Sequence, residues 1–212
     1  MGKLISHDSP IIQALSRVGD LILLNLMYLL TCIPIITIGA ATTALYTVCF
    51  RLVNGRDSQL IHTYFHAFRQ NFKQSTLIWV PAAFLIADLA LTVWLTLPQG
   101  GPVRYISLFA IAMLTWIAAI VGYIFPLISQ FENKTRLVLK NALIFSIGYL
   151  PRSFLMTILN LIPFVVLLLN PFGFLSAGAI WLTLYFSTAA YLNARLLRKV
   201  FAPFLPEAPA CE

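Results

Sequence analysis

Charge is what this chain has least of. Of its 212 residues only seven are acidic and 14 basic, so charged residues make up 10% of the sequence, against roughly a quarter in an ordinary soluble domain. With 60% hydrophobic residues and a mean hydropathy of +0.88, there are too few charges to solvate the surface of a water-soluble fold. That excludes the ordinary soluble class and predicts a polytopic membrane protein. Cysteine is scarce too: Cys32, Cys49 and Cys211 show neither disulfide nor zinc spacing, and two of them lie in apolar sequence, so they read as reduced and structural. No P-loop, glycine-rich dinucleotide motif, HExxH or GxSxG occurs. With so few acids as well, the expectation is no enzyme and no cofactor or bound metal. The excess of basic residues gives a net charge of +7, but they sit in short segments between apolar runs and make no single basic face. Nucleic acid is therefore not the expected partner, and the lipid bilayer is.

What is present is apolar sequence in long runs: Val18 to Ile33, Ala40 to Val53, Thr76 to Leu97, Tyr105 to Ile128, Phe154 to Leu169 and Phe172 to Leu197. The first two are nearly fused, and the stretch from Val18 to Phe50 is far longer than the roughly 20 residues that cross a bilayer once. Pro34 removes a backbone donor and disfavours helix at Ile33, and Gly39 is freely flexible, so a turn is expected between them, making a short hairpin that either spans or re-enters. Thr37 can cap the second helix, and Gly39, Ala40, Thr43 and Ala44 supply the small side chains that let membrane helices approach closely. The first run also follows Lys3 and Arg17 and precedes GAA, as a signal peptide would. It continues well past a usual h-region, so the N-terminus is expected to be retained.

Basic clusters alternate strictly with weakly charged turns: Lys3 and Arg17; Arg51, Arg56, Arg69 and Lys73; Lys134, Arg136, Lys140 and Arg152; Arg195, Arg198 and Lys199. Between them lie Pro34 to Gly39, Pro98 to Arg104 and Asn170 to Gly173. Because Lys and Arg collect in cytoplasmic loops, this pattern predicts about six membrane segments with both termini cytoplasmic. From 57 to 73 the period changes. Leu60, Ile61, Tyr64, Phe65, Phe68 and Phe72 share one face and Arg69 and Lys73 lie mostly opposite, which predicts an interfacial amphipathic helix on the cytoplasmic leaflet. A second such helix is expected between Glu132 and Arg152, or else Leu137 to Leu150 dips into the membrane, in which case Arg152 needs an internal partner or a flipped loop. The predicted fold class is all-α: one integral membrane domain over 1–212, the amphipathic helix 57–73 within it and a short cytoplasmic tail at 201–212.

Asp88 is the sharpest single residue, placed near the middle of the Thr76 to Leu97 run. Proton coupling or solute binding is one reading, and a neutral carboxyl tying two helices together is the other. Asn25 and Asn160 are the candidate partners. A second polar set, Asp20, Thr37, Gly39, Thr42, Thr43 and Tyr46, clusters around the opening hairpin, either as a small anion or sugar site at a helix start or as interhelical hydrogen bonding. His62 and His66 stand at i and i+4 without a nearby third ligand, so a solvated helix face is expected there.

The segments DLILLNLMYLLTCIPIITIGAATTALYTV, FHAFRQNFKQST and KNALIFSIGYLPRS resemble the YesL-like family of small bacterial integral membrane proteins, most specifically from Ser9 to Thr76. The resemblance implies a multi-pass protein of a bacterial plasma membrane, often encoded near carbohydrate uptake and breakdown systems, and it supplies no settled activity. It makes carbohydrate importer subunits the expected partners and an accessory or assembly role the expected function, with a small secondary transporter or channel for a sugar or other small solute as the alternative.

Overall fold

The computed structural model describes residues 10–55, 59–99, 101–170, 172 and 178–204. All regular structure within them is helical. Expectations that fall on Lys3, Ser9, Arg56, Asp57, Gly100, the centre of the Asn170 to Gly173 turn, the tail beyond Phe204 and Cys211 lie outside the described residues.

Helix α1 (Pro10–Cys32) ends just before Pro34, whose extended backbone leads into a 3-10 turn at Ile35–Thr37 and then α2 (Ile38–Val53). Thr37 does not cap α2. Its hydroxyl instead donates to the carbonyl oxygens of Thr31 and Pro34, holding the turn closed behind α1. After Gly55, at a φ of 71°, the chain re-enters helix at Gln59, itself left-handed with φ 62°. Helix α3 (Leu60–Thr96) then runs for 37 residues without interruption. The segment expected as a separate interfacial helix over 57–73 is thus the first part of a rod that continues into the next apolar run. Nothing between Phe72 and Trp79 breaks helix, and Pro81, the first residue that could, is accommodated inside it. Phe65, Phe68, Phe72, Arg69 and Lys73 all belong to this rod. Its buried face here is Thr63, Tyr64 and Ala67, while Phe65 and Ile61 stay exposed.

Helix α4 (Val103–Gln130) returns antiparallel to α3, fixed at one end by the Thr96–Ser107 hydroxyl pair at 2.7 Å and at the other by Gln74, whose side-chain amide donates to the Asn133 carbonyl at 2.8 Å. Helices α5 (Thr135–Gly148) and α6 (Leu150–Leu169) meet at Tyr149 with a bend of 103°, and Arg152 beside the bend lies over the Tyr149 ring at 5.4 Å. A helical turn Gly178–Ile180 passes through a π-helical turn Trp181–Tyr185 into α7 (Phe186–Phe201). Among the described residues four helices are long and apolar enough to cross a membrane, five if the bent α5–α6 pair counts as one span. Helices of this length and apolarity mark a membrane protein.

The core is organised around α2. Ala40, Ala44, Val48 and Cys49 are fully buried. The small-residue stripe of the opening hairpin meets α3, not α1. At Gly39 an added Cβ would stand 2.7 Å from the Trp79 Cβ and 2.8 Å from the Ser75 carbonyl oxygen, so only glycine allows this approach. Thr43 and Ser75 share a hydrogen bond at 2.8 Å in the same contact, and the Trp79 indole donates to the Ile35 carbonyl at 2.8 Å.

Helix α2 flanks α3 from Arg51 beside Thr63 to Gly39 beside Trp79, and no further. From Trp79 to Thr96 no residue of α3 is buried. This half of the helix, about 27 Å long at 1.5 Å per residue, pairs with α4 and exposes Phe84, Leu91, Trp94 and, across the pair, Tyr105 and Phe109. The molecule therefore has a packed end and a bare two-helix end.

Candidate functional site

The two ends of α3 carry different polar chemistry. On the bare half, Asp88 is exposed, and its carboxylate makes no hydrogen bond or ion pair with a described residue; only its carbonyl is engaged, by Thr92 Oγ1 at 2.9 Å. Asn25 and Asn160, its candidate partners, lie elsewhere. Asn25 is fully buried on α1 and its Oδ1 accepts from the Ser187 backbone N–H at 3.0 Å. That N–H lies two residues past the end of the π-helical turn, where the hydrogen-bond register changes, so Asn25 ties α1 to this irregular part of the helix. Asn160 on α6 accepts from Asn193 Nδ2 at 3.2 Å, and the same amide donates to the Tyr46 hydroxyl at 3.2 Å. The structure thus joins Asn160 to Tyr46 through a residue that sequence reasoning passed over.

Asn193 is fully buried, and its Oδ1 has no partner among the described residues. The groups it bonds, Tyr46 and Asn160, line a small cavity of about 70 Å³ together with Tyr28, Thr42, Tyr185 and Phe186. The signal for Asn193 was available in the chain: one amide on the small-residue face Ser187, Ala190, Asn193, Ala194 and Leu197 of a helix whose other face is basic. Of the hairpin set, Thr42 pairs with Tyr28 at 3.4 Å and Thr43 with Ser75. Asp20 sits one turn beyond Arg17, which donates to the Tyr191 hydroxyl at 3.0 Å. Thr42 and Tyr46 therefore share the small cavity beside Tyr28 and Asn160, while Thr37, Gly39 and Thr43 face other neighbours, so the set does not converge as a whole on one pocket.

At the packed end a cleft of about 470 Å³ opens between the last turn of α2, the first half of α3 and the segment joining α4 to α5. Its walls are mostly polar, with Arg51 from α2, His62, His66, Gln70 and Asn71 from α3 and Glu132 from the joining segment, and Ala67, Ile128 and Phe131 supply an apolar part. The two imidazoles stack with ring centres 6.1 Å apart. Arg51 uses one guanidinium nitrogen on the Thr63 hydroxyl at 2.9 Å, and the Gln74–Asn133 bond ties the Glu132 segment to α3. The spacing of His62 and His66 alone reads as a solvated face. The convergence of α2 and the residue 129–132 segment on that face becomes visible only once the chain is folded.

Residues 21–92 match the family described as "Protein of unknown function, DUF624". The chain is 27% identical over 151 residues to the uncharacterized protein YteU of Bacillus subtilis (strain 168), an alignment covering 70% of this chain and 68% of that one. No solved structure matches. The family match begins within α1 and ends at Thr92, so it takes in α2, the α2–α3 contact, the α3 wall of the cleft and Asp88, and stops four residues short of the end of α3.

Proposed function

We propose that this chain is a non-catalytic subunit or assembly partner of a membrane complex, and that it docks through the bare half of the α3–α4 hairpin. The observation that carries this reading is Asp88. A carboxylate on a surface otherwise formed by Phe84, Leu85, Leu91 and Trp94 costs about 2.5–3.5 kcal/mol at mid-bilayer, and a donor on a neighbouring membrane helix removes that cost. The basic clusters support a topology of about six segments in a bacterial plasma membrane with both termini cytoplasmic. The YesL-like resemblance makes carbohydrate importer subunits the first partners to test. A small secondary transporter is the second reading; the interrupted helix around Trp181–Tyr185 and the buried amides of Asn25 and Asn193 favour it.

Purification in mild detergent, with identification of co-purifying chains by mass spectrometry, separates the two. Stoichiometric recovery of importer subunits with the native chain and their loss with Asp88→Leu is the expected result. Saturable sugar uptake into proteoliposomes holding this chain alone would replace the assembly reading with the transporter.

A further inference from the structure

The polar cleft at the packed end is independent of the docking face, and its chemistry selects a ligand. Arg51 can only donate and a Glu132 carboxylate can only accept, whereas His62, His66, Gln70 and Asn71 can each do both. An anion would meet Glu132 unfavourably and a cation would meet Arg51. A neutral molecule bearing several hydroxyl groups, each a donor and an acceptor, satisfies the whole wall. The half-buried Phe131 ring at the edge of the cleft offers an apolar surface for the C–H face of such a molecule. A volume of about 470 Å³ lies within the range of small-ligand sites.

The walls are also held in place before any ligand arrives. Arg51 is anchored on Thr63, Asn71 donates to the Ala67 carbonyl at 3.0 Å, and Gln74 fixes the segment that presents Glu132. The Gln70 side chain makes no hydrogen bond to a described residue, nor do the imidazoles of His62 and His66, which leaves their polar groups available to a ligand. We infer that this cleft is a binding site for a neutral polyhydroxylated small molecule of mono- or disaccharide size.

The test is saturation-transfer NMR on the full chain in a detergent without a sugar headgroup, such as lauryldimethylamine oxide, with glucose and sucrose as probes and inorganic phosphate as the anionic control. The expected result is transfer to sugar protons that saturates below about 10 mM and weakens at least tenfold in His66→Ala and in Gln70→Ala. Both side chains are exposed and unbonded, so melting should stay native. Lys140→Ala on α5 and Asp88→Leu on the bare hairpin should leave sugar binding unchanged, so success or failure here is separate from the docking of the α3–α4 hairpin. Absence of saturable transfer, equal transfer in the cleft variants, or displacement of the sugar by phosphate would each overturn the inference.

Discussion

The two halves of α3 are one regular helix in two different situations. From Leu60 to Ile78 its inner face is set by other parts of the chain: Tyr64 shares a hydrogen bond at 2.6 Å with Thr31 of α1, Ser75 meets Thr43, and Ile78 is buried. From Trp79 to Thr96 it is set by α4 on one side and by whatever surrounds the protein on the other. Polarity follows the same division. The packed half concentrates its polar groups in a cleft, while the bare half has Asp88 as its one charged residue and, beside it, only Thr92 and Thr96, whose hydroxyls bond back to the helix. Packing inside the chain fixes the shape of the first half, and the second half is shaped for an apolar surrounding.

The comparison predicts large effects on one half and small ones on the other. Gly39→Leu should be the most damaging change: its side chain would be driven into the Trp79 Cβ and the Ser75 carbonyl, and overpacking of this kind costs about 1–3 kcal/mol or more. A melting temperature in detergent within a degree of native would show that α2 and α3 are not held at that distance. Asn25→Ala comes next, since it strands the buried Ser187 N–H at a cost of about 1–3 kcal/mol. Hydrogen exchange should then quicken at Ser187 and its neighbours before it does so in α3. Thr43→Val removes the Thr43–Ser75 hydrogen bond from the packed contact and should cost about 0.6 kcal/mol, measurable as a small shift in the unfolding midpoint.

The smallest effect belongs to Asp88. With no described partner inside the chain, both Asp88→Asn and Asp88→Leu should leave the melting of the isolated protein unchanged. A marked loss of stability in Asp88→Leu would mean that the carboxylate is bonded within the chain, and the distinction between the two halves would fail there.

Much of this division was legible in the sequence. Pro34 and Gly39 mark the first turn, the small residues after it mark a close helix approach, and the long apolar runs mark the class of protein. Which helix the small residues approach was not legible, because Gly39 and Thr43 state only that something comes near, and Ser75 and Trp79, which stand opposite them, lie more than 30 residues away in sequence. The amphipathic pattern from Leu60 to Phe72 is legible in the sequence, but its continuity with the next run is not. A period of 3.6 residues reports a face, not the direction in which the axis runs. The cleft was hidden for a third reason: Arg51, His66 and Glu132 are far apart in sequence, and none of them is unusual alone.

The unbroken length of α3 has a mechanical consequence. A 37-residue helix is a rod of about 55 Å, clamped over its first half and held over its second by α4, with Pro81 just past the clamp at Gly39 and Trp79 and one backbone hydrogen bond fewer at that point. A rod held this way acts as a lever. Tilting the outer arm by about 5° at Pro81 moves its tip by about 2 Å over the remaining length, so a small repacking at the fulcrum is delivered to the far surface of the hairpin enlarged and without any change in the helix itself.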